Sequence, residues 1–461
     1  MQSVSAEIEN GGQKMTDKRL KIKQRTGYFC GMFGCNVAYS MVNTFLLMFY
    51  TDAMKLDAAA LSLMFLVTKL IDGVTDYLVG CWIDRTDTKL GRNKPWMLYG
   101  IPVFAIGFLL VFAAPDFAAN WRLIYAYISY SIFCFGFTMV YVPMNSIVPF
   151  MTPDPDERTT ILTIGNVGGT IGVLLAIVGV PAMIQMNGGT SSISGYTKTA
   201  LPLIAIAAVV YFFSVVLTKE DNLPPMTKKV SAWKNLRLIA TNRPFLCLLG
   251  YMLFNALQLA CMTSVLTYYA KYILFDESQV TILNLVFAAG NFIGLAFASP
   301  LGKRFSKRPL LSVLLGIQML CWVGCWFAYT QIILIYICIS IMSLAAGVIN
   351  PNVFAVLSES VDYGEYKTGV NLAGTQTAVF GLFNKIGSAM ASSVIALILS
   401  LGHYDNTAAV QSDSTVFAIR FALAGVCFLC SAASFASMLF YPITREKMKE
   451  IAKSLQERRQ A

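Results

Sequence analysis

The chain has 461 residues, of which 56% are hydrophobic and 13% charged, and a formal net charge of +10. A mean hydropathy of +0.61 exceeds what a soluble fold of this length needs, which excludes a water-soluble protein and implies an integral membrane protein. The excess of basic residues calls for no nucleic acid, because loops facing anionic lipid headgroups account for it.

The first residues, MQSVSAEIENGGQK, are polar and lack the apolar core of a cleavable signal. The tail 1–27 is therefore expected to stay in the cytoplasm and the first spanning segment to act as an uncleaved insertion signal. Twelve apolar stretches follow, in 28–51, 59–83, 96–115, 122–151, 161–187, 200–218, 244–273, 279–301, 309–329, 331–358, 372–402 and 414–441. Each approaches or exceeds the roughly 20 residues that carry a helix across hydrocarbon, which predicts an all-α membrane protein.

A polar linker, 219–243, divides the chain near its midpoint; its KEDNLPPMTKK contains Pro224 and Pro225, which would not continue a membrane helix. The expected organisation is a six-helix bundle over 28–218, this loop, a second six-helix bundle over 244–441, and a tail over 442–461. The tail sequence TREKMKEIAKSLQERRQA predicts an amphipathic or solvated helix at the membrane surface. Gly80, Asp84, Arg85, Gly91 and Arg92 after the second segment have a weak counterpart in Gly302 to Arg308 after the eighth. That repetition fits two parallel bundles related by an axis along the membrane normal, with a substrate path between them.

Basic residues cluster in the first tail (Lys18, Arg19, Arg25), the second loop (Arg85, Lys89, Arg92, Lys94), the central loop (Lys228, Lys229, Arg237) and the eighth loop (Lys303, Arg304, Lys307, Arg308). The positive-inside rule puts both termini in the cytoplasm.

The second segment, LSLMFLVTKLIDGVTDYLVGCWI, carries Lys69, Asp72 and Asp76 on one helical face. An isolated charge at membrane depth costs roughly 2.5–3.5 kcal/mol on insertion scales, so such residues face a polar interior and serve an ion or a substrate. Two carboxylates attract a monovalent cation. A Na⁺ ion would need further oxygens such as the Thr75 hydroxyl, whereas a proton would need one carboxylate with a raised pKa. A salt-bridge cluster between helices is the purely structural explanation. Lys385 lies within the eleventh segment, AGTQTAVFGLFNKIGSAMASSVIALIL, where a lone ammonium is costly, and Asp72 or Asp76 is its expected partner. The eleven cysteines lie almost entirely in apolar segments, including Cys427 and Cys430, and lack the polar setting that redox or zinc chemistry needs. Nothing in the loops has the spacing of nucleophilic or nucleotide chemistry, so the chain is read as a transporter, not an enzyme.

The run from Lys69 through Asp72, Asp76, Gly80, Asp84-Arg85-Thr86, Gly91-Arg92 and Lys94-Pro95 resembles the signature of the glycoside–pentoside–hexuronide cation symporters. The resemblance continues in Gly34-Cys35-Asn36, in Pro143 with Asp156-Glu157-Arg158, in Val361 to Gly369, and in Tyr441-Pro442. It implies a major facilitator fold in a bacterial inner membrane, twelve transmembrane helices in two bundles, no bound cofactor, and co-transport of Na⁺ or H⁺ with a sugar glycoside. A single chain is expected to be the working unit.

By this resemblance Asp72, Asp76, Thr75 and Thr138 form the cation site, which is a metal site if the ion is Na⁺. Lys385 couples cation and sugar sites, with Lys69 beside it. Arg158, Asp362 and Glu365 correspond to charges that close the cytoplasmic gate. The charged residues that grip the sugar in the melibiose branch are replaced here by Asn36, Tyr141 and Asn166. Stacking on Tyr141 with amide contacts from Asn36, Asn145 and Asn166 suits a neutral, hydroxyl-rich ligand, since amides both donate and accept. Lys385 leaves a hexuronide carboxylate open as the alternative. Ordinary interhelical hydrogen bonding accounts equally well for Asn43 and Asn350. Two further alternatives are a cation-coupled lysolipid transporter, which would need an apolar lateral opening, and a non-transporting sensor.

Overall fold

The computed structural model describes residues 20–56, 58–113, 119–189, 192–222, 232–276, 278–403 and 411–460. Among them are twelve long helices: α1 Ile22–Met48, α2 Ala58–Arg85, α3 Lys94–Phe112, α4 Ala119–Ser146, α5 Pro155–Met186, α6 Ile193–Leu217, α7 Arg243–Tyr272, α8 Ser278–Arg304, α9 Lys307–Phe327, α10 Ile332–Thr368, α11 Ala373–Leu401 and α12 Asp413–Leu439. Eleven are long and apolar enough to cross a membrane. The twelfth, α2, has 28 residues and carries Lys69, Asp72 and Asp76 along its length.

Local chemistry sets several ends. Asp154 caps α5 by accepting from the Asp156 N–H at 3.0 Å, Pro155 opens the first turn, and Asp156 and Glu157 complement the helix dipole there. Asn242 caps α7 in the same way, with Pro244 in its first turn. Gly369, at φ 71°, supplies the left-handed residue that ends α10. The expected spans differ from the observed helices at several ends: α5 and α6 begin at Pro155 and Ile193, ahead of the expected 161 and 200. Helix α1 starts at Ile22 instead of 28. The predicted 122–151 helix breaks after Ser146 and resumes as Val148–Met151, because Pro149 clashes with the carbonyl four residues back and offers no N–H. Helix α10 runs on from 358 to Thr368, carrying Asp362 and Glu365 on helix instead of loop.

Packing follows a repeat. In the first half α1 packs on α5 and α6, α3 on α4 and α6, and α2 on α4; in the second, α7 packs on α11 and α12, α9 on α10 and α12, and α8 on α10. Each of these contacts in one half recurs in the other between the corresponding helices. The halves meet through α2 with α11 and α8 with α5, which are again the same contact seen from each side, as a parallel repeat requires. The first half closes on one apolar core around Phe49, Phe108, Phe112, Phe133 and Tyr196. The second has two, around Trp322 and Cys427 and around Phe245, Leu248 and Tyr441. A smaller cluster of Val79, Ile83, Met139, Val142 and Ala378 seals the seam between halves.

Both described termini lie at the same end, where Arg25 pairs with Glu157 at 2.6 Å and Arg445 with Asp156 at 2.7 Å. The C-terminal segment is a helix, Arg445–Gln460, as its pattern predicts. Met448, Ile451 and Leu455 are buried against α10, so its apolar stripe packs on protein.

Candidate functional site

Asp72 and Asp76 stand one turn apart on α2 and face α4 and α11. Each carboxylate divides its oxygens between the same two partners. The Lys385 ammonium of α11 lies 2.5 Å from Oδ2 of both Asp72 and Asp76. The Thr138 hydroxyl of α4 donates to Asp76 Oδ1 at 2.6 Å and lies 3.3 Å from Asp72 Oδ1. Asp76 is buried, while Lys385 retains 28% side-chain exposure, so the cluster borders a wet space. Lys385 meets both aspartates, where the sequence required only one. Thr75 donates to the Asp72 backbone carbonyl at 2.9 Å, which leaves its oxygen lone pairs uncommitted beside the carboxylates. Lys69, expected to join this face, is exposed and forms no ion pair among the described residues. The ammonium at the aspartates belongs to Lys385.

Next to this cluster is an aromatic column that the sequence did not reveal. Tyr39 of α1 stacks on Phe137 of α4 at 4.5 Å between ring centroids, and Phe137 stacks on Tyr141 at 5.0 Å. Tyr39 is i+3 from Asn36 and Phe137 adjoins Thr138, and those spacings were the available signal. The asparagines expected to face a ligand each donate to their own helix: Asn36 to the Met32 carbonyl (2.7 Å), Asn145 to Tyr141 (2.9 Å) and Asn166 to Leu162 (2.8 Å). They form no interhelical bridges through these groups. In this arrangement Asn36 and Asn166, both partly exposed, have their amide oxygens left over as acceptors.

At the end bearing the termini the two halves are locked together. Arg158 of α5 pairs with Asp362 of α10 across the seam, both almost fully buried. Asp84, at the last turn of α2, caps α11 from the other half, accepting from the Gly374 N–H at 2.7 Å and the Thr375 N–H at 2.8 Å. An anion at a helix N-terminus satisfies orphan donors and meets the positive end of the dipole. Glu365 hydrogen-bonds Asn371 within its own half. It also acts on Arg92 in the α2–α3 loop: burial pulls that guanidinium below its ordinary value, and Asp84 and then Glu365 pull it back up. Of the three residues expected at this gate, Arg158 and Asp362 meet directly, and Glu365 of the second half acts on Arg92 of the first. Asp84, Thr375 and Arg445 complete the seam.

The sequence profile described as MFS/sugar transport protein matches residues 27–445. The chain belongs to this family, the glycoside–pentoside–hexuronide cation symporters of the major facilitator superfamily. Among its relatives is the isoprimeverose transporter of Lactiplantibacillus pentosus, 30% identical over 438 residues, covering 93% of this chain and 90% of that one. The glucuronide carrier protein homolog of Escherichia coli is 27% identical over 454 residues, covering 96% and 97%. The fold also matches the E. coli fucose:proton symporter, with a TM-score of 0.70 at 15% identity over 91% of this chain and 98% of that one. A proton:xylose symporter matches with a TM-score of 0.63 at 13% identity, covering 93% and 98%. The symporter is therefore a multi-span membrane transporter and not an enzyme. A lysolipid cargo gains no support from these relatives.

Proposed function

We propose that this symporter imports a neutral sugar glycoside together with one monovalent cation, Na⁺ or H⁺, bound at Asp72 and Asp76. The observation that carries the proposal is the charge sum of the buried cluster. Two ionised carboxylates against the single Lys385 ammonium leave one negative charge uncompensated. One monovalent cation neutralises it, and the Thr138 and Thr75 hydroxyls supply the extra oxygens a Na⁺ ion would use. A proton on either carboxylate would serve equally.

Because Lys385 belongs to α11 and the aspartates to α2, the cluster spans the two halves. Cation arrival loosens the hold of the ammonium on the carboxylates and shifts the balance between arrangements of the bundles, as a ligand with unequal affinity for two states must. The lock of Arg158, Asp362 and Asp84 is the gate at the cytoplasmic end, the side on which the basic loops place both termini. The sugar lies against Tyr39, Phe137 and Tyr141, with the Asn36 and Asn166 oxygens accepting its hydroxyls. Full engagement of Lys385 by two carboxylates favours a neutral ligand over a hexuronide.

Thermal unfolding of the detergent-purified protein against a panel of neutral glycosides and hexuronides, with and without Na⁺ at two pH values, tests this. A ligand at a hundred times its dissociation constant adds roughly 2.7 kcal/mol. The expected result is a shift for a neutral glycoside that grows with Na⁺ or with acidity. A shift for hexuronides alone, or one indifferent to both cations, contradicts the proposal.

A further inference from the structure

The second half contains a cavity that the cation cluster and the aromatic column do not touch. It lies among α7, α8, α9 and α10 and is lined by Asn255, Asn291, Gln318, Trp322 and Asn350 over a floor of Phe287, Met262 and Met342. Polar groups within a bundle ordinarily find partners, because leaving one unpaired costs roughly 1–3 kcal/mol. Here they do not. The Trp322 indole N–H and the Gln318 side-chain oxygen are buried without a hydrogen-bond partner, in residues 2% and 4% exposed. Asn36, Asn145, Asn166 and Asn352 all bond a carbonyl of their own helix. No hydrogen bond joins the side chains of Asn255, Asn291 or Asn350 to the protein among the described residues. The interhelical bridge that could have explained Asn350 is thus not formed.

In the first half Phe104, Phe108, Phe133 and Phe137 pack together between α3 and α4. The cavity also lies at the depth of the cation cluster. On α11, Gly387, two residues beyond Lys385, packs against the carbonyl of Leu253 and the side chain of Ala256, in the same turn of α7 as Asn255.

We propose that this cavity is a second sugar subsite, taking a neutral polyhydroxylated ring of the transported glycoside. This rests on the sugar-symport function proposed above and specifies the substrate as one with a ring for each half. Three amides and a glutamine oxygen give and accept hydrogen bonds as hydroxyls do, and the Trp322 N–H adds a directed donor. No carboxylate, ammonium or guanidinium lines the cavity, so a hexuronate ring would go uncompensated there. An apolar floor with a few convergent polar groups is the usual construction of a small-ligand site.

Substitutions at the two unpartnered groups separate a subsite from a pocket of trapped water. Trp322→Phe removes the unpartnered indole N–H together with part of a buried ring, and Gln318→Leu removes the unpartnered oxygen together with the amide donor to the Met342 carbonyl at 3.3 Å, so each should lower the unliganded melting temperature modestly. With a neutral glycoside that stabilises the wild-type protein, titrated by thermal shift, each variant should weaken binding about 10-fold or more, the effect of losing roughly 1.4 kcal/mol. The response to Na⁺ or acid without sugar should be unchanged. Ala346→Phe, which adds bulk to the cavity wall, should weaken the glycoside in the same way. Unaltered glycoside affinity in all three variants overturns the subsite and leaves only buried water, while the symport function stands. If no neutral glycoside stabilises the wild-type protein, the symport proposal itself fails, and the subsite with it.

Discussion

Asp72, Asp76 and Lys385 could be found in the sequence because an ionisable group in an apolar run is expensive wherever the helix sits. That cost does not depend on tertiary detail. Thr138 is different: a threonine among aromatic residues carries no such penalty, so the family resemblance alone pointed to it, and the structure brings its hydroxyl to 2.6 Å from Asp76. A hydrogen bond to a charged group contributes roughly 1.5–3 kcal/mol. Thr138→Val keeps the shape and removes the oxygen, so the apparent cation affinity, measured from the cation dependence of sugar binding, should fall at least about tenfold. Unchanged affinity would mean that the hydroxyl only orients Asp76. The asparagines were harder to read. Whether an amide bonds its own carbonyl four residues back or stays open to a ligand is decided by side-chain rotamer and neighbouring packing, not by residue type. Asn36 and Asn166 take the first course and Asn255 takes the second.

At the level of helices, the close approach of α2 and α11 is what lets Lys385 reach the aspartates. Gly80 and Gly374 make it possible: a Cβ on either would collide with the backbone carbonyl of the other. The Thr375 hydroxyl and the buried Cys81 thiol lie at the same crossing, 3.7 Å apart. Gly374→Val should therefore wedge the halves apart at this end, at an overpacking cost of roughly 1–3 kcal/mol. In a background whose other cysteines are replaced, Cys81 should then react faster with a membrane-permeant maleimide than in the parent. An equal rate would show that the crossing tolerates the branch without opening. The twelve apolar segments and the tail helix were legible from hydropathy, whereas Pro224 and Pro225 of the expected divide lie outside the described residues. The extension of α10 to Thr368 was not, because VDYGEYKT is polar enough to pass for a loop. Its buried charges are stabilised by partners on other elements, which one segment's pattern cannot disclose.

The whole molecule is a repeat whose halves have diverged inside. Both use the same helix contacts and meet through the same pair of crossings, but the first half carries the carboxylates and packed aromatic rings between α3 and α4, and the second carries the ammonium and an open amide-lined cavity. Sequence comparison between the two loops hinted at the repeat, whereas the difference between interiors needs side chains placed in space. That division gives each half something the other lacks: neither alone can balance the charge at Asp72 and Asp76. Cation and sugar should consequently act on the same equilibrium between bundles, and transport should be lost if the charge balance is altered. Uptake of the stabilising glycoside into vesicles reconstituted with wild type and Asp76→Asn, under an inward cation gradient, tests this most directly. The wild-type vesicles should concentrate the sugar above the outside level, and the variant should bring it no higher than equality. Full accumulation by Asp76→Asn would contradict the assignment of the driving ion to this cluster.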